Sequence, residues 1–130
     1  MDLASAALAL HRELKGKIRI EPTAPIRSMQ DLSLVYSPGV GAVSKHLAEH
    51  PEEDRAYTWR GNAVAVVSDG SAVLGFGNIG PAAALPVMEG KCAIFRRFAG
   101  IDAVPLVLAT QDVDAIVETV AALEPSFGAI

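Results

Sequence analysis

The chain has 130 residues, 51% of them hydrophobic and 20% charged, with a formal net charge of −4. That balance describes a domain with a core rather than a disordered segment, and its sign, with no basic run or zinc-finger spacing, argues against a general nucleic-acid binder. No stretch reaches the ~18 apolar residues of a membrane span, no basic cleavable leader opens the chain, and the lone Cys92 cannot form an internal disulfide, so a soluble cytoplasmic protein is the default expectation.

Residues 3–15 favour a helix with Leu3, Ala7, Leu10 and Leu14 on one face, stopped by Gly16. Lys17 to Glu21 alternates as a short strand would, and Pro22 and Pro25 then force an irregular connection. A turn of helix over Gln30 to Leu34 leads into Tyr36-Ser37-Pro38-Gly39-Val40. Pro38 suits the first position of a further helix, with Val40, Val43 and Leu47 inward, until His50-Pro51 ends it. Ala63 to Ser68 is a continuous apolar run suited to a central strand covered on both faces. Asp69-Gly70 has the chemistry of a type I′ hairpin turn, so Ala72 to Phe76 is expected to return as a second strand.

From Pro81 to Ala99 helical spacing places Val87, Met88, Lys91, Ile94, Phe95 and Phe98 on one face. Ile101 to Leu108 reads as another buried strand. Asp112 to Leu123 reads as a last helix with Val113, Ile116, Val117, Val120 and Leu123 inward. The final Phe127-Gly128-Ala129-Ile130 looks like a chain entering a strand, which suggests that the sequence continues in a longer protein. Strands alternating with helices predict an α/β fold, a mostly parallel or mixed sheet with helices on both faces.

Lys91 is the odd member of its apolar stripe. Burial there would disfavour the ammonium and turn the lysine into a usable base; a lysine snorkelling at the stripe's edge is the plainer reading. Tyr36, just ahead of a helix N-terminus, is either a core-edge tyrosine or a phenol placed to relay a proton. Gly75-Phe-Gly-Asn-Ile-Gly80 spells the dinucleotide fingerprint, with Asp102 a suitable distance downstream. A hairpin arm ahead of it and Pro86 behind it favour a structural turn that presents the Lys91 helix. His46-Leu-Ala-Glu-His50 spells an inverted zinc-protease motif, but Pro51 ends the helix at once and no third ligand is apparent. Asp69 reads as turn geometry. Cys92 lies about 100° around the helix from Lys91, which separates the two.

Several ordered blocks resemble the N-terminal domain of malic enzymes of the short bacterial kind: Asp31-Leu-Ser-Leu-Val-Tyr36-Ser-Pro-Gly-Val40, Gly61 to Gly80, Pro86-Val-Met-Glu-Gly-Lys91, Phe98 to Asp102, and Leu123 to Ile130. The resemblance covers essentially the whole chain and is least distinctive over residues 1–25. It implies oxidative decarboxylation of L-malate to pyruvate and CO2, with NAD or NADP reduced and Mg2+ or Mn2+ required. By it, Lys91 matches the substrate-binding general base that takes the C2 hydroxyl proton, and Tyr36 the acid that protonates the enolpyruvate. It also implies a homodimer. It places the metal-binding carboxylates and the NAD(P)-binding domain downstream of Ile130, so residues 1–130 are expected to be the substrate-side domain, with no metal or cofactor site and no activity alone. Larger eukaryotic relatives carry a substrate-binding arginine where this chain has Ala72. Two rivals stay open: a non-catalytic oligomerisation or metabolite-sensing module of the same fold, and a free-standing dinucleotide-binding protein resting on residues 75–80.

Overall fold

The structure, a computed structural model, describes residues 2–130. The chain divides into two compact units, one formed by residues 1–19 and 62–130, the other by residues 20–61.

In the first unit, α1 (Leu3–Leu14) opens on Asp2, whose carboxylate accepts the Ser5 N–H at 2.9 Å. It ends on Lys15 and Gly16, both with positive φ. The helix forms where its apolar spacing predicted, yet Leu3, Leu8, Leu10 and Leu14 are exposed. Lys17 to Glu21 is not a strand. The Lys17 N–H goes instead to the Glu89 carboxylate at 3.1 Å, and its ammonium to the Pro86 carbonyl.

The sheet is built around β1 (Ala63–Ser68), which pairs in parallel with β2 (Asp102–Val107) from Ala63↔Asp102 to Ser68↔Val107. On its other edge β1 meets residues 128–129: Gly128 N–H donates to the Ala63 carbonyl at 2.8 Å and Ala65 N–H to the Ala129 carbonyl at 3.1 Å. The terminal segment thus pairs as its apolar character predicted, and β1 is the central strand. Ala63 and Ala65 are buried with Phe127, and Val67, Val104, Leu106 and Leu123 pack around them. The small alanines leave room for the Phe127 ring on one face of the strand. β2 is half-buried rather than buried. Its Pro105 has no N–H to offer a further neighbour, which suits an edge strand. At the start of the pair the Asn62 amide donates to the Gly100 carbonyl and the Asp102 carboxylate, both at 2.9 Å.

The expected hairpin does not form. Gly70 has φ +73, but the chain after Ser71 runs through turns, not a returning strand. The Asp69 carboxylate accepts both the Ser71 N–H (3.0 Å) and its hydroxyl (2.7 Å), closing a local turn. Gly70 lies against the Gly80 backbone, where any Cβ would collide. The Gly80 N–H donates to the Gly70 carbonyl at 3.1 Å, so the loop is pinned to the start of α5 (Pro81–Ile94). This crossover lets the next strand come back parallel.

α5 runs unbroken through Pro86 and continues as a π-helical turn over Phe95–Ala99, ended by Gly100 at φ +68. It packs on both strands and buries Ala84, Met88 and Cys92. Of the predicted stripe only Met88 is buried and Val87 half-buried, while Lys91, Ile94, Phe95 and Phe98 are exposed, Phe98 at 84%. The spacing predicts the helix but ranks large apolar residues as inward, whereas the residues buried beside the strands are the small Ala84 and Cys92 and the pliant Met88. α6 (Val113–Leu123) starts at Asp112, whose carboxylate accepts the Ala115 N–H at 2.8 Å. Its Ile116, Val120 and Leu123 are half-buried as predicted, but Val113 and Val117 are exposed.

The second unit contains α2 (Met29–Val35), α3 (Gly39–Glu49), a 3-10 turn at Pro51–Glu53, α4 (Asp54–Tyr57) and a second 3-10 turn at Trp59–Gly61. None of its residues is fully buried. Polar closures tie it together: the Ser28 hydroxyl caps α2 at the Asp31 N–H, the Asp31 carboxylate accepts the Arg27 N–H, and Arg60 pairs with Asp54.

Phe127→Ala removes the aromatic ring packed on Ala63 and Ala65 and is expected to cost about 3 kcal/mol or more, read as a lower denaturant midpoint. Phe127→Leu is expected to cost less than about 1.5 kcal/mol.

Candidate functional site

Tyr36 forms the joint between α2 and α3. Its N–H donates to the Leu32 carbonyl at 2.8 Å, ending α2, and its carbonyl accepts the Val40 N–H at 2.7 Å in the first turn of α3. Gly39 lets the two helices meet, since a Cβ there would press on the Ser33 and Leu34 carbonyls. Both backbone groups of Tyr36 are thus committed, while its side chain is 68% exposed. The phenol is thus presented outward from the helix corner rather than packed at the edge of a core.

Lys91 lies on the other unit, about 15 Å along α5 from Pro81 at 1.5 Å per residue. It is exposed, so the burial expected from the stripe is absent in this chain. Its neighbour Cys92 is 1% exposed, and burial, with the Glu89 charge second, pushes the thiol above its ordinary range. A buried thiol held in its neutral form is a packing group. Lys91 and Cys92 point apart, as their angular separation on the helix required.

The loops that follow β1 and β2 are joined by a reciprocal amide pair: Asn78 Nδ2 donates to Gln111 Oε1 and Gln111 Nε2 to Asn78 Oδ1, each at 2.9 Å. No sequence pattern pointed to this pair, because its partners lie 33 residues apart. Within the glycine-rich stretch, Val73 N–H bonds the Gly77 carbonyl at 2.9 Å and Phe76 N–H the Val73 carbonyl at 3.0 Å. The stretch does not leave a strand directly, its Gly80 N–H is consumed by Gly70, and Pro81 brings no N–H to the helix start. The Phe76 and Gly80 N–H groups are therefore not free for a dinucleotide pyrophosphate, which is held by such groups at a strand–helix turn.

A family model for the malic enzyme N-terminal domain matches residues 15–130. The chain belongs to the malic enzyme family. It is 54% identical over 130 residues to a bifunctional malic/malolactic enzyme of Bacillus subtilis, covering 100% of this chain and 32% of that protein. It is 49% identical to an NADP-dependent malic enzyme of Escherichia coli and 48% identical to an NAD-dependent malic enzyme of Rhizobium meliloti, covering 99% of this chain and 17% of each relative. Among solved structures, the NAD-dependent malic enzyme of Thermotoga maritima superposes with a TM-score of 0.91 at 55% identity, over 94% of this chain and 34% of that one. The malic enzyme of Pyrococcus horikoshii gives the same TM-score at 41% identity, over 98% of this chain and 30% of that one. The chain thus spans about a third or less of the malic enzymes it matches. These neighbours bear out the α/β fold of a malic enzyme N-terminal domain. No helix among the described residues is long and apolar enough to cross a membrane.

The two hydrogen bonds from Ser71 hold the Asp69 carboxyl below its ordinary 3.8. A carboxylate with a depressed folded pKa stabilises the fold above the unfolded value, and that contribution is lost as pH falls through the folded value. An NMR titration is expected to place the Asp69 midpoint below 3.8, with Ser71→Ala raising it.

Proposed function

We propose that this chain is the substrate-side region of a malic enzyme that converts L-malate to pyruvate and CO2 with reduction of NAD or NADP, and that Lys91 and Tyr36 carry its proton transfers. The observation that supports the reading most is the presentation of both side chains: a phenol projecting from a rigid helix joint, and an amine on the exposed side of a well-anchored helix.

Lys91 Nζ takes the C2 hydroxyl proton of malate as the C2–H bond breaks. Loss of CO2 then leaves an enol whose C3 needs a proton, and the Tyr36 hydroxyl supplies it. A lysine suits the first task because closing an apolar surface over it lowers its affinity for a proton. Ile94, Phe95 and Phe98 border Lys91 along the helix and would provide that surface once covered. An exposed phenol suits the second because it can gain and lose a proton without leaving its corner.

On this reading the nucleotide and the divalent cation are held mainly by the rest of the enzyme, since this chain spans only 32% of such a relative. The 130-residue chain alone is therefore inactive. The exposed apolar side chains of α1 and α2, among them Leu3, Leu8, Met29 and Leu34, support a homodimer and further coverage in the whole protein.

With Mn2+ and L-malate, the enzyme extended through its downstream region is expected to form NAD(P)H, and Lys91→Ala to lower the rate by about 10²–10⁴-fold. Tyr36→Phe is expected to impair proton return by a comparable factor while leaving malate binding largely intact. A folded, metal-loaded extended enzyme that lacks malate oxidation would favour the non-catalytic module instead. NAD(P)H formation by residues 1–130 alone would contradict the assignment of the cofactor sites elsewhere.

A further inference from the structure

Read as a straight helix, the inverted zinc-protease spelling at His46–His50 offers no complete ligand set, but the chain bends directly after it. Pro51 ends α3 and bends the chain into the 3-10 turn Pro51–Glu53, stabilised by the Glu53 N–H to the His50 carbonyl at 3.1 Å. The bend carries Glu52 and Glu53 back beside the helix end. His46 Nε2 then lies 2.9 Å from Glu53 Oε2, and His50 Nδ1 3.7 Å from Glu52 Oε1. The two imidazoles sit 4.9 Å apart centre to centre, and the Tyr57 ring lies 5.0 Å from His46 on its other side. Glu49, the carboxylate of the motif as spelled, takes no part in this group. One donor atom from each of His50, Glu52 and Glu53 lies within 4.8 Å of the others.

From this juxtaposition we propose that His50, Glu52 and Glu53 bind a Zn2+ ion, with His46 holding the Glu53 carboxylate in place. Ligands at about 2.0–2.2 Å around a tetrahedral zinc have donor atoms roughly 3.3–3.6 Å apart. The side chains therefore need only close in slightly, which rotation of the exposed Glu52 and His50 allows. Two carboxylates neutralise the ion's charge, and the imidazole selects a borderline metal over Mg2+ or Ca2+, which prefer all-oxygen shells. The His46 contact is the familiar carboxylate–histidine pairing of metal sites, here used to orient a carboxylate ligand. A fourth position is left for water.

The test is a Zn2+ titration of the 130-residue chain in competition with a chromophoric chelator, repeated on His50→Ala and Glu52→Gln. Both residues are exposed, and circular dichroism confirms that each variant stays folded. One Zn2+ per chain, undisturbed by excess Mg2+ and weakened at least about tenfold in each variant, is the expected result. Absence of binding at micromolar Zn2+, or an unchanged affinity in either variant, overturns the site.

Discussion

Strand β1 is the element on which the rest of the first unit depends. Its two edges are both hydrogen-bonded, to β2 through six parallel register pairs and to residues 128–129 at the very end of the chain. A strand in that position must be apolar on both faces, and Ala-Val-Ala-Val-Val meets the demand with side chains of two sizes. The alanines accept Phe127 on one face, so the chain's last segment is secured by packing as well as by backbone pairing. The crossover α5 follows from the same constraint, since a parallel neighbour cannot be reached by a tight turn.

That crossover decides what the chain presents to its surroundings. By burying Ala84, Met88 and Cys92, α5 leaves Lys91 and the large apolar residues after it at the surface. Lys91 is thereby bordered by the exposed Ile94, Phe95 and Phe98, an apolar surface left uncovered in this chain. The second unit has the same character. It positions Tyr36 by backbone hydrogen bonds and the Gly39 close approach rather than by a core, since none of its residues is fully buried. Both candidate catalytic groups thus stand on well-defined backbone with uncovered surroundings, in keeping with a chain that spans a third or less of its relatives.

Sequence patterns captured the helices well because capping and spacing are local. Asp2, Ser28 and Asp112 accept the N–H groups that open their helices, and Gly16 and Gly100 close others in the left-handed region. The false strand at Lys17 to Glu21 shows the limit of alternation as a signal. Its backbone found a partner in the Glu89 side chain, 72 residues away, which no local pattern reports. The false hairpin at Asp69-Gly70 has a related cause. The dipeptide does turn, but Gly70 is needed for its contact with Gly80, and the following residues serve the loop rather than a strand.

The sequence by itself determined the central strand, the limits of most helices, the family and the residues worth testing, because these rest on local propensity and on ordered blocks that survive without coordinates. Only the tertiary structure decided which face of α5 is buried, since that depends on how closely the helix approaches the strands and hence on small residues that hydrophobicity underrates. It also decided that residues 75–80 are a pinned loop, that Asn78 meets Gln111, and that Glu52 and Glu53 fold back onto His50 and His46. Each of these is a contact made by a turn or a long-range approach, and the chain's local chemistry permits it without specifying it.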